Sequence, residues 1–196
     1  MSEPRLILVR HGDTEWSQNG RHTSRTDLPL LASGIERARS LAPVLAESEF
    51  ARVLSSPLRR ALETADLAGF RDRVEITHDL TEWDYGEFEG LTSDEIWQDH
   101  PDWRLWADGA PSGESPEEVA ARADRLIAEA VQADGDVLMF AHGHILRVVV
   151  ARWIGEAPAV GALFKLDPAT ISILGHEHDF RVVDRWNAPV AEPLLS

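Results

Sequence analysis

Arg5-Leu6-Ile7-Leu8-Val9-Arg10-His11-Gly12, near the start of the chain, has a counterpart in Asp136-Val137-Leu138-Met139-Phe140-Ala141-His142-Gly143. Each is a short apolar run with the length and β-branched content of a buried strand, and each stops at a histidine followed by a glycine. In an open α/β sheet, residues just past the carboxyl ends of parallel strands line the ligand crevice. If the two runs are neighbouring strands, His11 and His142 face each other across it. A glycine after each histidine removes a side chain that would otherwise crowd a bound group.

Between and beyond these runs the pattern alternates strand and helix. Residues 11–31 are rich in Gly, Asn, Ser, Thr and Asp and predict a long loop, a type that often carries function. Ser33 predicts the N-cap of a helix bearing Ile35, Ala38, Leu41, Ala42 and Leu45. Residues 51–56 predict a strand, and Pro57 the first turn of a helix with Leu58, Ala61, Leu62, Ala65 and Ala68 on one stripe, closed by Gly69. Residues 74–77 predict a short third strand.

Residues 80–113 read as irregular and hold Trp83, Trp97, Trp103 and Trp106, with one short helix signalled by the capping box of Thr92 and Glu95. Ser115-Pro116-Glu117-Glu118 predicts a stronger helix start, with Val119, Ala123, Leu126, Ile127 and Ala130 inward and an end near Gly135. Residues 145–154 predict a helix closed by Gly155. In the tail, residues 163–166, 170–174 and 181–184 alternate and predict antiparallel strands that could also pair two copies into a homodimer. The expected architecture is one α/β domain over residues 1–196: a three-layer α/β/α arrangement with a mainly parallel sheet and an antiparallel edge.

A net charge of −15, from 34 acidic and 19 basic residues, opposes general binding to nucleic acid or to anionic membranes. Any site for an anionic substrate must therefore be a local basic pocket. The absence of cysteine excludes disulfides, thiolate nucleophiles and Cys-ligated zinc. No apolar stretch approaches bilayer-spanning length, and a first strand starting at about Arg5 leaves no room for a signal peptide. A cytoplasmic protein is expected.

The chemistry-bearing residues then fall into order. A neutral imidazole at His11 can attack phosphorus and form a phosphohistidine, splitting one hydrolysis into two easier steps. Arginine suits the accompanying task, because its planar fork matches phosphate oxygens. Ser55-Ser56-Pro57-Leu58-Arg59-Arg60-Ala61 sets two arginines on the first turn of a helix, whose N-terminus itself favours anions. Glu82 is a carboxyl flanked by aromatic bulk; desolvation there would favour its protonated form, able to serve a departing alkoxide. On spacing alone, Glu82 reads more readily as a solvated loop acid than as a catalytic one.

The ordered set Arg10-His11-Gly12, Arg60 in Ser-Pro-Leu-Arg-Arg-Ala-Leu-Glu-Thr-Ala, Glu82 ahead of Tyr85-Gly86, and His142-Gly143 resembles the histidine phosphatase superfamily, branch 1, the phosphoglycerate-mutase-like group. The resemblance implies that fold. It further implies a phosphorylated His11, a phosphoryl clamp of Arg10, Arg60 and His142, and Glu82 as the acid that later activates water. Arg60 rather than Arg59 takes its role because the family's arginine immediately precedes the alanine. Ser17 stands where the family often has asparagine and is kept as a phosphate-oxygen donor. Thr23 and Arg25, in a phrase similar to the loop of sugar-bisphosphate phosphatases, are expected at the substrate, as are Gly143 and His144.

The fuller pattern through Pro101-Asp102-Trp103 to Gly113-Glu114-Ser115 looks most like small bacterial acid phosphatases. The reading is a metal-independent phosphomonoester hydrolase of acid phosphatase type, without cofactor, acting on a small phosphate ester with a mildly acidic optimum. The alternatives are a phosphoglycerate mutase, a sugar-bisphosphate phosphatase and a phospho-ligand-binding pseudo-enzyme. A metal protein is a further rival, resting on His142-Gly143-His144 and His176-Glu177-His178.

Overall fold

Alternation within β1 (Leu6–Arg10) sets the layering: Leu6 and Leu8 face one core, Ile7 and Val9 the other. The computed structural model describes residues 3–190. Its other strands are β2 (Arg52–Ser55), β3 (Val74–Ile76), β4 (Val137–Ala141), β5 (Ile171–Glu177) and β6 (Phe180–Ala188). They form one sheet in the order β3-β2-β4-β1-β5-β6. The first four members of that order run parallel, and β5 and β6 add an antiparallel edge.

Among the described residues seven α-helices accompany the sheet: α1 (Glu15–Asn19), α2 (Ala32–Leu45), α3 (Arg59–Leu67), α4 (Ser93–Asp99), α5 (Leu105–Asp108), α6 (Pro116–Ala130) and α7 (Gly143–Trp153). Leu41 and Leu45 of α2 and Ala65 of α3 pack with Ile7, Val9, Val53, Leu138 and Phe140. Leu126 of α6 and Val148 of α7 pack on the opposite face with Leu6, Leu8, Leu54 and Met139. A fully buried side chain of this kind contributes roughly 1.5–3 kcal/mol, against about 0–1 kcal/mol for a surface ion pair. Burial therefore decides the layering. No helix among the described residues is long and apolar enough to cross a membrane.

β1 and β4 are direct neighbours in register, Arg10 opposite Ala141, and the His11 amide donates to the Ala141 carbonyl at 2.9 Å. His11 and His142 thus leave the sheet side by side. The capping boxes Thr92–Glu95 and Ser115–Glu118 form as read, starting α4 and α6.

Several expectations are corrected. The cap of α2 is Leu31, not Ser33, and no side chain caps it; the Leu31 amide instead donates to the Asp13 carbonyl at 2.8 Å. α3 starts at Arg59 with Leu58 as its cap, so Pro57 lies before the helix. Its first amide is taken by Asp27 Oδ1 at 2.8 Å, which seats a carboxylate of the chain at that N-terminus. α6 stops at Ala130, short of Gly135. Residues 163–166 form no strand: a 3-10 turn covers Pro158–Leu163, and the Leu166 carbonyl accepts from Arg10. The long loop contains α1, whose box pairs Thr14 with Ser17.

Candidate active site

The paired strand ends bring the two imidazoles within 5.1 Å, centroid to centroid, at an interplanar angle of 60°. His11 Nδ1 lies 2.8 Å from the Gly12 carbonyl oxygen. A carbonyl only accepts, so the proton sits on Nδ1 and the Nε2 lone pair is left without a partner among the described residues. Burial first, then the Arg60 and Arg10 guanidiniums, hold the His11 pKa well below the ordinary histidine value. The ring is neutral at pH 7, with its nucleophilic nitrogen available.

His11 lines a cavity of about 230 Å³ together with Arg10, Glu82, Gly143 and His144, and with Thr23 and Ser17. Arg10 donates through Nη1 to the Leu166 carbonyl, while its Nε is buried with no acceptor among the described residues. A Cβ placed on Gly143 would stand 3.5 Å from Arg10 Nε and 3.7 Å from Glu82 Oε2. Arginine, carboxylate and open backbone therefore meet there.

Gly12 has a different purpose from the one its sequence suggests. An added Cβ would come 2.5 Å from the Gly34 carbonyl oxygen, so this glycine admits α2 rather than a ligand.

Glu82 is buried, and three backbone amides converge on its carboxylate. Trp83 and Ile145 donate to Oε1 at 2.9 Å, and His144 donates to Oε2 at 3.0 Å. Two of the three belong to the first turn of α7, which fixes the position of both carboxyl oxygens. The loop carrying Glu82 is clamped from α6: Arg122 donates to the Asp79 and Thr81 carbonyls at 2.8 Å and forks onto Glu114 at 2.7 Å.

Arg60 and His142 stand behind His11, fully buried, rather than on the cavity wall. Arg60 Nε donates to His142 Nδ1 at 3.1 Å, and its Nη atoms hold the Thr23, Ser24 and Thr26 carbonyls. With Nδ1 accepting, the His142 proton is on Nε2, 2.7 Å from Ser56 Oγ. Burial first, then Arg60 and His11, push the His142 pKa well down, so this ring is also neutral.

The remaining candidates divide. Ser17 Oγ accepts from the Thr14 amide at 2.9 Å and donates to the Thr14 carbonyl at 3.0 Å, committing its proton to the loop. Arg25 is not on the wall; its side chain is 78% exposed and paired with Asp84. His144 is on the wall, with Nδ1 2.7 Å from the Tyr85 hydroxyl. Sequence reasoning missed Ser56, Tyr85, Arg122 and Thr64, whose hydroxyl accepts from the Gly12 amide at 3.1 Å. Only Ser56 carried a signal, its place at the end of β2 beside the two histidines. No group of three metal-ligating side chains occurs among the described residues.

The model of the histidine phosphatase superfamily (branch 1) matches residues 6–189. An acid phosphatase of Mycobacterium tuberculosis is 44% identical over 181 residues, covering 90% of this chain and 89% of that protein. A sedoheptulose 1,7-bisphosphatase of Saccharomyces cerevisiae is 35% identical, covering 78% and 68%. The solved structure of a Mycobacterium tuberculosis open reading frame product superposes with a TM-score of 0.90 at 40% identity, covering 96% of this chain and 99% of that one.

Proposed function

The chain belongs to the histidine phosphatase superfamily, branch 1, and is a phosphatase; from that premise we propose that it hydrolyses small phosphorylated metabolites of the cytoplasm through a phosphohistidine at His11. One observation carries the reading. The lone pair of a neutral imidazole opens on a cavity beside guanidiniums whose acceptors are carbonyls and an imidazole, not carboxylates. Guanidiniums with no hydrogen bond to a carboxylate, in a chain of net charge −15, favour a bound anion.

In the first step His11 Nε2 forms the N–P bond as the ester P–O bond breaks, and Glu82 gives its proton to the departing alkoxide. In the second, water attacks phosphorus while the Glu82 carboxylate takes the water proton. The N–P pair then returns to Nε2. Arg10 steadies the phosphoryl oxygens through its unpartnered Nε. His142 joins it once a phosphoryl oxygen, a stronger acceptor than a hydroxyl, takes the Nε2 proton from Ser56 Oγ, while Arg60 holds the other ring nitrogen from behind. Gly143 leaves room for the group, and Thr23, Ser17 and His144 form the wall. The cations neutralise the charge, so the route needs no metal.

Two copies pairing along the outer strand β6 would make a homodimer, which sedimentation tests. Turnover of an alkyl phosphate that persists in chelator and is blocked by vanadate supports the mechanism. Loss in chelator with rescue by a divalent ion refutes it.

A further inference from the structure

Beside the phosphate cavity lies a second one of about 190 Å³, walled by Trp97, Trp103 and Trp106 and sharing His22, Ser93 and His144 with the first. An apolar cavity of roughly 150 Å³ already accommodates benzene. We propose that this tryptophan-walled cavity is the subsite for the alcohol half of the substrate, and that it takes the uncharged aromatic or heteroaromatic ring of a phosphomonoester. The proposal rests on the phosphatase reading above.

The polar groups on the wall define the occupant. Trp97 Nε1 donates to the Trp103 carbonyl at 3.0 Å and Trp103 Nε1 to the Gly109 carbonyl at 2.8 Å, so these two rings offer only apolar surface. The Tyr85 phenol has His144 Nδ1 as its partner among the described residues. Burial first, then Glu82, raises the Tyr85 pKa well and keeps the hydroxyl protonated, and a buried O–H with this one partner is satisfied by donating to it. His144 consequently carries its own proton on Nε2, a donor. His22 is the opposite tautomer: Nδ1 donates to the Leu91 carbonyl at 2.8 Å, leaving Nε2 an acceptor.

The two imidazoles lie nearly parallel, 11° apart in plane and 6.3 Å between centroids, where the cavities join. They set one donor and one acceptor beside the rings, and the Trp106 indole N–H and the Ser93 hydroxyl lie on the same wall. A heteroaromatic ring with a few polar atoms along one edge suits that set. A sugar would leave most of its hydroxyls unpaired against indole, which is unfavourable. The one guanidinium on this wall, Arg104, lies over Trp97 at 5.5 Å and donates to the Pro101 and Trp103 carbonyls.

The test compares 2-phenylethyl phosphate with ethyl phosphate, two primary alkyl esters of similar leaving-group reactivity. The expected result is a kcat/KM at least tenfold higher for the ring ester. That ratio should fall about tenfold in Trp97→Ala, whose side chain is at the rim and 41% exposed. 2-Phenylethanol should also compete with the ring ester on the wild-type protein. Equal kcat/KM for both esters, unchanged by Trp97→Ala, overturns the subsite while the phosphatase reading stands. Preference for an ester carrying a second anionic group, lost in Arg104→Ala, overturns it in favour of a charged alcohol. Failure to hydrolyse either ester, with no phosphoenzyme formed, overturns both.

Discussion

At the residue scale the free nitrogen of His11 is selected by backbone. The Gly12 carbonyl fixes the His11 proton on Nδ1, and three amides fix the Glu82 carboxylate beside α7. Positioning of this kind is where a proton donor gains its rate effect, typically on the order of 10²–10⁴-fold. Glu82→Gln should therefore lower kcat for alkyl phosphates by about 10²-fold or more, and much less for activated aryl phosphates, whose leaving groups need no proton. Equal losses on both, measured side by side, would remove Glu82 from the acid role. Ser56→Ala leaves the His142 Nε2 proton without its acceptor and should lower stability by about 1–3 kcal/mol in chemical denaturation. His11, Glu82 and His142 were legible because a strand end or a short motif marked them. The Tyr85–His144 bond and the Arg122 clamp were not, since each joins residues brought together only by the fold. Arg25 misled for the same reason: its partner, Asp84, lies far along the chain.

At the scale of elements, the loop that follows β1 is tied to α2 by close backbone contact. A Cβ on Gly34 would come 2.3 Å from the Asp13 carbonyl oxygen, and no side-chain rotation relieves a clash between backbones. Gly34→Ala should lower stability by about 1–3 kcal/mol and shift the His11 loop, with kcat/KM falling roughly 10²-fold for a displacement near 1 Å. Ser115→Ala removes only the hydroxyl that caps α6 at Glu118. It should cost about 1 kcal/mol with kcat retained, and the pair of variants separates a site defect from general loosening. Strand and helix existence was readable from apolar period and capping boxes. Element starts were less so: Ser33 looked like a cap, yet a main-chain bond from Leu31 to Asp13 places the start of α2 earlier. The missing strand at residues 163–166 yields for a similar reason, its Leu166 carbonyl being used by Arg10 rather than by a neighbouring strand.

For the whole molecule, a parallel sheet edge collects buried neutral histidines in an acidic chain. His11, His142 and His144 are held well below the ordinary value and His22 is lowered, in each case by burial first. The unfolded chain takes up protons on these rings as pH falls through about 6.5, while the folded chain does not. Stability is thus fully present above that pH and declines below it, by up to about 1.4 kcal/mol per pH unit for each ring, until the lowered folded-state values are reached. Denaturation midpoints from pH 7.5 to 5 should fall accordingly, and added vanadate should raise them by mass action. A flat profile would mean the rings take up protons in the fold as readily as in the unfolded chain. The same neutrality keeps His11 nucleophilic in mild acid, consistent with an acid phosphatase type. The most direct check is to quench turnover of an aryl phosphate in alkali within milliseconds and map the phosphoryl group by mass spectrometry. An acid-labile phosphate on the His11 peptide, absent from His11→Ala, is predicted; turnover with the phosphate on another residue, or with no phosphoenzyme at all, would contradict the account.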